Sequence, residues 1–252
     1  MDIFGVLGAE GLGGGIFSPE HTVPEINGFD QFSELSNQDV EALVNDLLPN
    51  DHLKNCGEIT CDPNDPYWNE VPGAAGYHVE YLDGSPSNIC LAGKGALEGT
   101  GTSELEVLCH EIGHNAYNNL SLMETLTWSE IHANLLALFD ATGFGFVSSY
   151  AHTNLFEDFA ETYAVYVTNP DFLQFISPEK YNFMHDHVFD GREYDQIDNH
   201  DGTATLVARD VGQSLAQAAV VSEFKTGEEA VTSAGNAEIS PGDIYRCFSM
   251  IS

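Results

Sequence analysis

Basic residues are nearly missing from this chain. Lys and Arg together number 7, against 40 Asp and Glu, so the formal net charge is −33 over 252 residues. A field of that sign repels nucleic-acid backbones and anionic membranes, and neither is an expected partner. Long apolar runs are also missing: none approaches the roughly 18 residues that cross a bilayer. The first basic residue is Lys54, so the early sequence has no positively charged region of a secretory signal, and Met1-Asp2 reads as a natural start. Cysteine is scarce, five in all. Its spacings match neither a zinc knuckle nor a redox CxxC motif, so the redox compartment stays open. Cys56 and Cys61 are close enough in sequence to pair, with Cys90 as a further candidate, whereas Cys109 reads as a buried free thiol.

The hydrophobic content of 42% supports a real core in one large domain or two small ones. The acidic surplus should repel itself at low salt. At molar salt the Debye length falls to ~3 Å and that repulsion is screened. The composition resembles proteins adapted to concentrated salt; a calcium-rich or simply acidic niche is the alternative.

Residues 1–35 form a Gly-rich arm without a basic residue. Val40, Leu43, Val44 and Leu47 predict an amphipathic helix over 36–53, ended by Pro49 and Asn50. Residues 62–76 read as a loop, and 77–82 and 88–92 as strands. Ser103 and Glu106 have the S-x-x-E spacing of a capping box and open a helix whose apolar stripe is Leu105, Leu108, Cys109, Ile112 and Ala116. Further helices are expected near 128–139, over 154–167 with Pro170 ending it, within 171–189, and over 208–224. Residues 190–203 read as an Asp-rich loop.

The predicted 103–116 helix carries His110-Glu111-Ile112-Gly113-His114. Histidines four apart lie on one helical face, one turn apart, where two imidazoles can share one metal ion. Glu111, between them, is placed to take a proton from a water beside that metal. Gly113 removes a side chain where substrate or backbone crowds the helix. The alternative is a pair of ordinary surface or core histidines. A catalytic metal wants a third protein ligand from another element. Glu157 and Glu161, one turn apart beside an apolar face, can both point inward and would then need a cation. Alternatively, Glu157, Asp158 and Glu161 are an acidic cluster favoured by a helix N-terminus. Asp195, Asp198, Asn199 and Asp201 before Gly202 faintly suggest a calcium loop but miss the EF-hand spacing, and a solvated acidic loop is the plainer reading. His185 and His187 read as surface residues.

The segment from Tyr150 through Glu157-Asp158-Phe159-Ala160-Glu161, together with the HExxH helix, resembles the anthrax lethal factor-like zinc peptidases, a family that includes clostridial Pro-Pro endopeptidases. The likeness extends to 47–54, 178–183 and 188–191, and so covers roughly residues 36–192. The resemblance implies an α+β, zincin-like domain with a small mixed sheet, an active-site helix and a third-ligand helix. It implies zinc bound by His110, His114 and Glu157, with Glu111 as general base. Tyr150 would donate to the oxyanion, and Glu161 would orient a ligand histidine. The strand at 88–92 would be the edge that pairs with an extended peptide substrate. The domain division that follows is 1–35, 36–192 and a C-terminal extension 193–252.

The expected function is a zinc endopeptidase acting on peptides or proteins. A second expectation, motivated by the arm and the unmatched extension, is a structural or host-binding component of a virus particle or surface layer built on a zincin fold.

Overall fold

A computed structural model describes residues 23–200, 203–209 and 224–225. The architecture is α+β: a small mixed sheet, several helices and a second, antiparallel sheet. The chain enters through β1 (Glu25–Asn27), then α1 (Phe29–Phe32) and α2 (Asn37–Ala42). Ser36 and Asp39 cap α2 reciprocally. The single helix predicted over 36–53 is instead three pieces. After α2 comes a π-type turn over Leu43–Leu47, then a 3-10 turn over Asn50–Leu53. Pro49 causes the break, because it has no N–H to donate and holds Leu48 extended at ψ 152°.

Three strands follow, β2 (Cys56–Cys61), β3 (Gly76–Val79) and β4 (Ser87–Leu91). Sheet order is β1-β2-β4-β3, with β1, β2 and β4 parallel and β3 antiparallel to β4. Ile59 and Ile89, paired across β2 and β4, are both fully buried. This order corrects the expectation for 88–92: β4 is a central strand and β3 is the edge. The resemblance implied otherwise, but β4 pairs on both sides, with β2 and with β3, which leaves β3 outermost.

Helix α3 (Glu104–Asn118) touches β3, β4 and α5 (Leu155–Thr168). Its capping box is formed as the sequence indicated, with Ser103 Oγ accepting from Glu106 N and Glu106 accepting from Ser103 N at 2.7 Å. A Cβ on Gly113 would lie 3.0 Å from Ala160 Cα and 3.1 Å from Tyr163 Cβ. The crowding partner at Gly113 is therefore the backbone of α5. Between them, α4 (Leu122–Thr142) starts earlier than predicted, at its own Ser121–Glu124 capping box, and ends on left-handed Gly143. Trp128 of α4 is fully buried, and its ring packs edge-on against Phe159.

Pro170 does more than stop α5: it is the first residue of α6 (Pro170–Ile176), capped by Asn169. After α7 (Pro178–Phe183) and a π-type turn over Met184–Val188, the expected Asp-rich loop contains a strand, β5 (Glu193–Asp198). It pairs with β6 (Thr203–Arg209), which pairs with β7 (Phe224–Lys225). The acidic run is tolerated because Arg209 on β6 binds Glu193 and Asp195. Buried Tyr194 donates its hydroxyl to Leu47 O at 3.1 Å. At the boundaries expected at 35 and 193, β1 and buried Phe29 join the main sheet layer, and β5 packs on α5.

Cys56, Cys61, Cys90 and Cys109 are free and buried. Cys56 and Cys61 stand at opposite ends of β2, roughly 16 Å apart at the strand rise, which rules out their pairing. Burial pushes their thiols up to about 11 and about 12. Asp195 is committed to Arg209, so it is no calcium ligand, and residues 201–202 lie outside the described residues. Of the helix expected over 208–224, Ala208 and Arg209 instead finish β6, and 210–223 lie outside the described residues. The first 22 residues of the arm also lie outside them. Among the described residues, no helix is long and apolar enough to cross a membrane.

Candidate metal centre

The α3 register brings His110 and His114 onto one face, toward the first turn of α5. Asn154 caps α5, its side chain accepting from Phe156 N and Glu157 N at 2.9 and 3.0 Å. That cap fixes Glu157 at the helix start, facing the histidines. His110 Nε2 lies 3.1 Å from His114 Nε2 and 3.2 Å from Glu157 Oε2, and His114 Nε2 lies 3.4 Å from the same oxygen. Donors about 2.0–2.1 Å from a tetrahedral ion stand about 3.3 Å from each other, so this triangle has the size of one coordination face. Glu157 Oε2 is buried, and no hydrogen-bond donor is aligned on it. An orphaned carboxylate oxygen facing two imidazole nitrogens is a costly arrangement without a cation. These residues form a cluster that can hold a metal ion.

The electrostatics agree. Burial would raise the Glu157 carboxyl, but the two imidazoles outweigh it and hold it well below the usual carboxylate range. Burial would lower His110, yet Glu157, Glu161 and Glu111 together lift it to about 10. The pocket is negative enough to draw in any positive charge.

Around the triangle, Glu161 Oε1 takes a 2.8 Å hydrogen bond from His110 Nδ1, which leaves Nε2 directed at Glu157. Glu111 is buried beside His110, and burial raises its carboxyl above the ordinary value. The Tyr150 ring lies 6.0 Å from that of His110. Burial and then the Glu157 charge raise its pKa, so it stays a protonated donor. All six residues singled out from the sequence, His110, Glu111, His114, Tyr150, Glu157 and Glu161, thus meet in one place. His185 and His187 lie elsewhere, on the turn after α7, where His185 bonds its neighbour Asp186.

Three contributors were not foreseen. Ser148, almost fully buried, donates to Glu161 Oε2 at 2.6 Å and accepts from Ala151 N at 2.9 Å. One hydroxyl therefore ties the turn that carries Tyr150 to the carboxylate that orients His110. Gly76 on β3 makes room for Glu111: a Cβ there would lie 2.7 Å from Glu111 Oε1. His78, two residues on, stacks beside His114 with ring centroids 6.2 Å apart and bonds Asn115 at 3.3 Å. A lone Gly in a strand hints at close approach; nothing local marks Ser148 or His78, whose roles depend on distant partners.

No protein-family model, curated protein or solved structure matches this chain.

Proposed function

We propose that the chain is a zinc-dependent endopeptidase with a zincin-like arrangement, adapted to concentrated salt. The observation that carries this reading is the triangle of His110, His114 and Glu157 with its orphaned, buried Oε2, set directly beside Glu111. Two imidazoles and one carboxylate suit zinc, and three protein ligands are the number catalytic zinc sites use, with one position left for chemistry. The resemblance of 36–192 to lethal factor-like peptidases points the same way.

Bound zinc would supply Lewis-acid polarisation of the scissile carbonyl and activation of a water. Glu111 takes the proton of the attacking water and returns it to the leaving amine; its raised affinity for protons suits both duties. Tyr150 donates its O–H to the oxyanion as charge develops there. Glu161, itself held by Ser148, keeps His110 in the required tautomer. Gly76 keeps the path to Glu111 open, and the outer edge of β3 offers unpaired backbone groups for an extended peptide.

The test is casein and peptide-library hydrolysis in molar KCl by wild type and Glu111→Ala. The expected result is cleavage by wild type alone, with equal zinc content in both. Equal cleavage by both would contradict the role of Glu111; zinc binding with no cleavage of any substrate would contradict the peptidase reading.

A further inference from the structure

Strand β3 leads away from the candidate metal centre. Gly76 lies against Glu111, and His78 against His114 and Asn115. Just past the end of the strand, exposed Glu80 lines a polar cavity of about 200 Å³, together with Lys54, Asn55, Tyr81 and Asn118. Its floor is built. Asn115 Oδ1 accepts from Ser87 Oγ at 2.6 Å, and Asn115 Nδ2 donates to the carbonyls of His52 and Lys54 at 2.7 and 3.2 Å. Asn119 Nδ2 adds a 3.0 Å bond to the same Lys54 carbonyl. Two amides thus clamp the backbone of Lys54, while its ammonium makes no ion pair or side-chain hydrogen bond among the described residues.

Exposed Lys54, like Lys94, is without an ion pair among the described residues of a chain with 7 basic and 40 acidic residues. Two other cations behave differently: Lys180 is paired with Asp158 and Arg209 with three carboxylates. Among the described residues the exposed side chains of Asn55 and Asn118 are also unpartnered, so a guest would meet one cation and two amides beside Glu80. A carboxylate satisfies that set. A basic guest would have only Glu80 and would face Lys54. At molar salt only contact pairs escape screening, and a lysine with a fixed root at a cavity wall can form one.

We propose that this cavity is a specificity subsite for an Asp or Glu side chain of the extended peptide substrate. This rests on the peptidase reading. Gly76 to Glu80, one residue past the end of β3, spans about 13 Å at the strand rise, which places the acidic side chain about three or four residues from the bond that is cut, on one side only.

The experiment is hydrolysis of a positional-scanning peptide library in molar KCl by wild type, Lys54→Gln and Lys54→Glu. Wild type should prefer Asp or Glu over Gln at one such position by roughly tenfold, the worth of one charge-assisted contact. Lys54→Gln should lose that preference. Lys54→Glu should turn the preference towards Lys and Arg. Cleavage by wild type without an acidic preference, or a preference that survives Lys54→Gln, overturns the subsite alone. No cleavage of any library member overturns the peptidase reading and the subsite with it.

Discussion

Glu157 and Asp158 are neighbours on α5, yet their surroundings differ in kind. Asp158 is fully buried and complete. One oxygen pairs with the ammonium of Lys180, and the other accepts from His132 Nδ1 at 2.8 Å. Lys180 is itself fully buried, its ammonium 4.2 Å from the centre of the Phe146 ring. Burial pulls the Lys180 ammonium down and Asp158 pulls it back up. Glu157, one residue earlier, faces two imidazoles, and no hydrogen-bond donor is aligned on its buried Oε2. One helix therefore carries a closed ion cluster that locks α4, α5 and α7 together, and an open one that asks for a cation. Only the open one lies beside buried Glu111.

The largest expected effect separates the two clusters. Asp158→Asn strands a buried ammonium and should cost about 3–5 kcal/mol of folding stability, whereas Glu157→Gln should change metal-free stability by far less. Urea unfolding of both chelated variants in molar KCl measures this; equal losses would erase the distinction.

His52 sharpens the contrast with a third buried group, a neutral and fully satisfied one. Its Nδ1 and Nε2 lie 2.7 Å from Tyr163 Oη and Val188 O. Burial lowers its pKa from 6.5 to about 4. The folded state then binds fewer protons than the unfolded one, so the stability it contributes is present above pH 6.5 and is lost as pH falls through about 4. Wild type should lose about 3 kcal/mol more than His52→Gln across that window, read from paired urea midpoints. Parallel curves would refute it.

The smallest effect concerns the second layer of the open cluster. Ser148→Ala leaves Glu161 Oε2 unpaired, which should weaken metal binding roughly 10- to 100-fold and cost about 1–3 kcal/mol of stability. Competition against a chromophoric chelator gives the affinity. An unchanged value would remove Ser148 from the site.

Much of the metal centre was legible because its logic is local. The HExxH spacing and the Ser103 capping box set α3, and Glu157 and Glu161 lie within one turn of α5. Sheet order was not legible, because β3 and β4 look alike as short segments and only their pairing decides which is the edge. The acidic strand β5 was hidden because its compensation, Arg209, comes later in the chain. Ser148, Lys54 and Lys180 escaped notice for the same reason: each is defined by a partner or cavity that only the fold assembles.

The central claim is that His110, His114 and Glu157 hold one metal ion. Elemental analysis after dialysis against zinc in molar KCl tests it directly. The expected result is one zinc per wild-type chain, near none in His114→Ala and Glu157→Gln, and a full equivalent in His187→Ala. A folded wild type without zinc, or triangle variants that retain a full equivalent, would contradict it.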